Sequence, residues 1–213
     1  REDPKREGLL FAGTEFGMFI SFDDGNSWQS FQQNLPVTPI TDIKIHRNDV
    51  VLSTMGRSFW ILDNINYLRN FSFNDNDFLY PVSNTIRYRN RPSNSNHVTY
   101  PRTSVDIDYK ITNESVGEIL ITIMDDENNL INSYKSINKN QNIENYEMST
   151  NEFTFISNSN ISKKIGVNRF KWDMRHRGSW NKNSRFSYRN GPMAKPGIYK
   201  VILTIDGSSF TEN

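Results

Sequence analysis

Few residues in this sequence have the types and the spacing that hydrolytic chemistry requires. Glycosidases need two carboxylates at a set separation across a cleft, and sialidase chemistry instead uses an arginine cluster with a tyrosine nucleophile. Two turns between strand-like runs hold four candidates: Glu15, Phe16, Met55 and Arg57. Glu15 is the only acid among them, and an exposed turn residue is its simpler interpretation. We therefore assign no catalytic residue and interpret these four as a candidate binding group.

A second candidate group begins at the end of the predicted strand 166–173 and continues beyond it. Trp172 and Asp173 could combine a sugar platform with a carboxylate, but in a half-buried strand we expect Trp172 in the core and Asp173 as a turn cap. The basic and aromatic stretch that comes next could bind a polyanion or stack on sugars. We interpret it as a solvated loop. Its residues are Arg175, His176, Arg177, Trp180, Arg185, Tyr188 and Arg189.

The composition excludes several kinds of site. The 213 residues include no cysteine, which rules out disulfides and thiolate sites. The three histidines lie far apart in the sequence, so we expect no metal site. With 25 basic and 24 acidic residues the formal net charge is +1, so no electrostatic field favours nucleic acid as a partner. Neither a nucleotide-binding glycine loop nor an apolar run of membrane-spanning length occurs. We therefore predict no cofactor and no membrane span.

Residues 21–28 fit the pattern Ser-x-Asp-x-Gly-x-Ser/Thr-Trp, which is called an Asp-box. The box lies between two strand-like runs, where Asp bonds its own backbone and Gly adopts the positive φ of a tight hairpin. We expect Trp28 to fold its ring beneath the turn and to be buried. Ser21, Asp23, Gly25 and Trp28 are therefore interpreted as structural residues, not catalytic ones.

Alternating apolar residues, tight turns and the lack of helical periodicity predict an all-β chain, with strands over 40–46 and 49–54 among those of its first part. Sliding the sequence by 40 residues superposes two units, with Phe19 on Phe59 and Ile20 on Trp60. A repeat of about 40 residues is the length of one propeller blade. The first part of the chain is therefore predicted to hold fewer than two complete blades, in two units of which the second has lost its Asp-box.

The chain is expected to contain three segments. We predict terminal β-propeller blades of an incomplete ring over residues 1–75, a linker or wrap-around segment over 76–103, and an Ig-like β-sandwich over 104–213. A propeller needs about four blades or more, so the remainder of the ring is expected upstream or in another chain. Because the sequence opens on Arg-Glu-Asp-Pro-Lys, we expect it to be a piece of a longer polypeptide.

The motifs resemble the C-terminal part of a family of large bacterial proteins, common in Bacteroidetes, that are described as sortilin-like or BNR-repeat glycosyl hydrolases. The second half is similar to the Ig-like module of flagellar hook-capping and related secreted proteins. The resemblance implies a secreted, cell-surface or periplasmic location, and it supplies no substrate. Except for the Asn-rich loops it covers most of the chain, through residues 3–5, 8–17, 21–28, 34–36, 56–63, 166–175 and 191–199.

Two functions from different classes are compatible with these observations. The leading hypothesis is a binding or scaffold role toward extracellular protein or peptide. The alternative is a part of a glycoside hydrolase acting on polysaccharide, with its catalytic residues in upstream blades. The sequence leaves open whether the parent protein is an enzyme.

Overall fold

The computed structural model describes residues 1–73, 76–88, 103–113, 117–136, 161–178 and 190–213. The described residues are all-β, with fifteen strands and one short helix. The chain divides into a first unit, Arg1–Phe73, and a second unit, Asn74–Asn213. The first unit contains β1 (Leu10–Thr14), β2 (Gly17–Ser21), β3 (Gln29–Ser30), β4 (Ile40–His46), β5 (Asp49–Thr54), β6 (Phe59–Leu62) and α1 (Asn66–Arg69). The second contains β7 (Phe78–Leu79), β8 (Val105–Ile111), β9 (Ile119–Asp125), β10 (Leu130–Lys135), β11 (Gly166–Trp172), β12 (Arg175–Arg177), β13 (Asn190–Met193), β14 (Tyr199–Ile205) and β15 (Ser208–Glu212).

The first unit consists of two three-stranded antiparallel sheets, β1-β2-β3 and β4-β5-β6. Each has one apolar face, and the two faces share a core that includes Phe11 and Ile20 of the first sheet and Leu52 of the second. Gly13 permits the close approach, because a Cβ at this position would lie 2.6 Å from Ile40 Cγ2. A larger residue at position 13 would therefore push the sheets apart.

The hairpins β1-β2 and β5-β6 differ in the length of their turns. β1 and β5 end at Thr14 and Thr54, which the predicted offset of 40 residues superposes. Two residues separate Thr14 from its partner Gly17, whereas three separate Thr54 from its partner Ser58. The additional residue moves β6 by one position relative to β2. The predicted offset of 40 residues therefore holds between β1 and β5. It is wrong between β2 and β6, which correspond at an offset of 41 residues.

The two hairpins bury opposite faces, since β1 buries Phe11, whereas β5 buries Val50 and Leu52 on either side of the corresponding Val51. The predicted superposition of Ile20 on Trp60 is wrong, and so is that of position 19 on Phe59. Judged by their strand partners, Met18 corresponds to Phe59 and Ile20 to Ile61. Met18 and Ile20 are 3% and 2% exposed, whereas Phe59 and Ile61 are 74% and 61% exposed. The second sheet thus presents an apolar face whose equivalent in the first sheet is buried.

The Asp-box forms the turn between β2 and β3. The Ser21 hydroxyl donates to Asp23 Oδ1 at 2.8 Å and accepts the Gly25 N–H at 2.9 Å. Asp23 Oδ1 also accepts the Ser27 N–H at 2.8 Å. Gly25 has a φ of +87°, and Asp24 before it has a φ of +58°. Side-chain oxygens therefore bind the backbone N–H groups of this turn, as the sequence pattern predicts.

Trp28 does not occupy the buried position that we expected. A Cβ built on Gly25 would lie 3.7 Å from Trp28 Cζ2, so the indole ring does fold back against the turn. However, 43% of the residue surface is exposed. The prediction of a buried ring is wrong, because the ring covers the outside of the turn and the core of the first unit lies elsewhere.

A buried ion pair joins distant parts of the first unit. Arg69 Nη2 lies 2.8 Å from Asp3 Oδ2, and the two side chains are 6% and 0% exposed. Asp3 Oδ1 also accepts the backbone N–H groups of Lys5 and Arg6, at 2.9 and 2.8 Å. Arg69 Nη1 donates to Asn48 Oδ1 at 2.7 Å. Both charges are hydrogen-bonded, as their burial requires.

The second unit is built from a four-stranded sheet, β10-β9-β14-β15, a three-stranded sheet, β11-β8-β7, and the ribbon β12-β13. Alternate residues of β8 and β9 point into one shared core, where Ile107, Tyr109, Ile121 and Ile123 are fully buried. The predicted core position of Trp172 is confirmed, since it is 2% exposed. Two sheets therefore enclose one core in this unit.

Charged residues occupy the other face of β8. Arg169 Nε on β11 lies 2.7 Å from Asp108 Oδ1, and Arg169 Nη1 lies 3.4 Å from Asp106 Oδ2. Burial raises the pKa of Asp108, and the hydrogen bond and charge of Arg169 oppose that rise. The guanidinium thus ties β11 to β8 across the sheet.

Four strands of the second unit lie where we did not predict strands: β7, β12, β13 and β15. β7 falls in the predicted linker and pairs with β8. β12 falls in the predicted solvated loop and pairs with β13, so that part of the prediction is wrong. β15 follows a tight turn at residues 206–207 and pairs with β14. Four members of the basic stretch lie outside the described residues: Trp180, Arg185, Tyr188 and Arg189.

We expect Asp3→Asn to lower the free energy of unfolding by about 3–5 kcal/mol, because it leaves the buried Arg69 charge without its counter-ion. The matched control is Asp42→Asn in the pair of Asp42 with Arg1, whose side chains are 62% and 65% exposed. Loss of that exposed pair should cost less than about 1 kcal/mol. Urea unfolding of both variants measures the difference. Equal losses would show that the Asp3 pair contributes no more than a surface pair.

The same pair should make stability depend on pH. Burial alone would raise the pKa of Asp3, but hydrogen bonds from Arg69 and from the N–H groups of Lys5 and Arg6 hold it below its ordinary value of 3.8. A carboxyl with a lowered pKa stabilises the fold above its unfolded pKa and loses this contribution as the pH falls through the folded pKa. We expect the Tm difference between native chain and Asp3→Asn to be constant from about pH 7 to about pH 5 and to shrink below about pH 4. A difference unchanged at about pH 3 would contradict this.

For Trp28→Ala we expect a loss of about 1–2 kcal/mol, below the roughly 3–5 kcal/mol that removal of a buried aromatic ring costs. The reason is the 43% exposure of Trp28. Phe11→Ala is the control with a buried ring, since Phe11 is 1% exposed. Denaturant unfolding compares the two, and a loss for Trp28→Ala as large as that for Phe11→Ala would rule out our account.

Candidate binding surface

The four predicted binding residues lie on two turns of the first unit, and a threonine closes each turn. Thr14 Oγ1 accepts the Phe16 N–H at 3.2 Å and donates to the carbonyl at the far end of the turn at 3.1 Å. Thr54 Oγ1 likewise accepts the Arg57 N–H at 3.2 Å and donates to the far carbonyl at 2.7 Å. The same side-chain contacts therefore hold both turns in shape.

The segment that crosses between the two sheets brings these turns together. Gln32 Oε1 accepts the Met18 N–H at 3.2 Å, next to the first turn, and Gln32 Nε2 donates to Pro36 O at 3.2 Å. In the second turn, Met55 N donates at 2.9 Å to the carbonyl two residues after Val37. Val37 lies between these anchor points and is 71% exposed. Val37 thus belongs to the segment that is anchored beside both turns.

We name this region the turn-end surface. Its apolar members Phe16 and Met55 are 72% and 68% exposed, similar to Val37. Glu15 and Arg57 are exposed as well, and they add one charge of each sign. The turn-end surface thus consists of Glu15, Phe16, Val37, Met55 and Arg57.

The turn-end surface suits binding better than catalysis. Its apolar side chains project from turns that are held by hydrogen bonds. Binding of a partner therefore costs little conformational free energy for ordering the backbone. Full burial of one such side chain contributes about 1.5–3 kcal/mol. The surface as defined holds one carboxylate, that of Glu15, whereas glycoside cleavage uses two groups across the scissile bond. Its chemistry is that of apolar contact with a small polar rim.

The Asp-box lies at the other end of β2. The first turn precedes Gly17 and the box begins at Ser21, and a strand of five residues is about 17 Å long. The carboxylate of Asp23 is engaged inside the box, where the hydroxyl and the N–H of Ser27 and the hydroxyl of Ser21 hold its pKa below the ordinary value. The box residues therefore take no part in the turn-end surface.

Trp172 and Asp173 do not form a sugar platform. The Trp172 ring is buried, and its Nε1 donates to Arg175 O at 3.2 Å. Asp173 Oδ1 accepts the Arg175 N–H at 3.2 Å, which confirms the prediction of a turn cap. Both polar groups hold the bend that leads from β11 into β12.

The histidines form no common site in the described part of the chain. His46 ends β4, His176 lies in β12, and His97 is outside the described residues. The described ranges contain no group of three or more His, Cys, Asp or Glu side chains that could hold a metal ion. They also contain no helix of the length and apolarity needed to cross a bilayer.

A cleft of about 540 Å³ in the second unit contains two carboxylates that could be taken for a site. Asp77 Oδ1 accepts both the N–H and the hydroxyl of Thr112, each at 2.7 Å. Asp206 Oδ1 accepts the N–H groups of Gly117 and Glu118, at 2.9 and 3.2 Å. Both carboxylates bind the backbone of neighbouring loops, and we interpret them as anchors of those loops.

Sequence reasoning missed Val37, an exposed residue of the segment anchored beside both predicted turns. Its signal was present as a single apolar residue between Pro36 and Pro39, in a segment that cannot continue a strand. The anchoring role of Gln32 carries no such signal, because it depends on which backbone groups the fold places beside it.

Known proteins provide no further assignment. No family model matches the sequence, no curated protein matches it, and no solved structure matches the chain.

Proposed function

We propose that the chain is part of a secreted or surface-exposed protein and that it binds extracellular protein or peptide through the turn-end surface. The observation that carries this proposal is the exposure of Phe16 and Met55 on hydrogen-bonded turns and of Val37 on the segment anchored beside both turns, each about 70% exposed. Exposed apolar patches with a polar rim are typical of protein-binding sites.

The shape of the surface favours a peptide or protein over a small ligand. Small ligands bind in concave sites that enclose most of their surface, whereas these side chains project outward from turns. Apolar anchors on a backbone that is already ordered fit a partner that brings complementary apolar side chains. Glu15 and Arg57 at the rim would set the orientation of that partner through charge.

The proposed architecture follows from the resemblance stated above. We infer that the first unit, within residues 1–75, represents terminal blades of an Asp-box propeller, and that residues 104–213 represent an Ig-like sandwich after a linker at 76–103. Two adjacent three-stranded antiparallel sheets, one with a complete set of Asp-box hydrogen bonds, support the blade assignment. The remainder of the propeller is then the principal partner, and the location is extracytoplasmic.

The test is a selection of random 12-residue peptides on the 213-residue chain, followed by binding measurements on the enriched peptides. We expect peptides rich in aromatic and aliphatic residues. Combined replacement Phe16→Ser, Val37→Ser and Met55→Ser should weaken their binding by at least about tenfold, because it removes the apolar anchors.

The control is Ile198→Ser, since Ile198 is 72% exposed and belongs to the second unit. It should leave peptide binding unchanged. Peptides that bind the triple variant and the native chain equally would refute the proposal. Polysaccharide binding that is lost in the triple variant, without any peptide binding, would assign the surface to a glycan.

A further inference from the structure

We draw no further inference here: the strongest candidate, the cleft of the second unit that Asp77, Phe78, Asp206 and Phe210 line, carries none, because its two carboxylates hold neighbouring loops and nothing in the described residues points to a ligand.

Discussion

The first unit depends on the buried contact between Asp3 and Arg69. Arg69 ends the single short helix, and it also donates to Asn48 Oδ1 in the turn that joins β4 to β5. Asp3 holds the backbone of the segment that leads into β1. Each of these elements is too short to be stable alone, since isolated hairpins and helices of a few residues are marginal in water. Because a buried charge without its partner is costly, the pair makes the stability of one element conditional on the others.

The two ends of β2 use the same physical device for different purposes. At one end Ser21 and Asp23 bind backbone N–H groups, so these side-chain oxygens of the Asp-box form their hydrogen bonds inside the turn. At the other end Thr14 binds the Phe16 N–H, and the side chains between the strands are left free to project. The first arrangement produces a closed turn, and the second produces an ordered platform for apolar side chains. If the turn-end surface binds as proposed, stability and recognition are separated along a single strand.

Elements with clear alternation were predictable from the sequence, and β4 and β5 match their predicted bounds of 40–46 and 49–54. The two turns of the turn-end surface were also predictable, because each follows a strand-like run. Val37 was not recognised, since its place depends on hydrogen bonds formed by Gln32 and Met55 in the folded chain. The exposure of Trp28 could not be inferred either, because an indole ring packed on a turn can lie toward the core or toward solvent. β12 and β15 were missed for a related reason, as short edge strands carry little periodicity.

The turn that precedes β6 has one residue more than the turn that precedes β2, and this has an evolutionary consequence. Adding a residue to a surface turn changes loop entropy by a small amount, so selection tolerates such insertions readily. Because the extra residue lies in the turn, the strand that follows keeps equivalent partners: Ile20 pairs with Phe11, and Ile61 pairs with Val51. Cross-strand partners lie on the same face of a sheet, so the difference between buried Ile20 and exposed Ile61 follows the strand before the turn. A turn of this kind can therefore gain a residue without altering the face that its strands present.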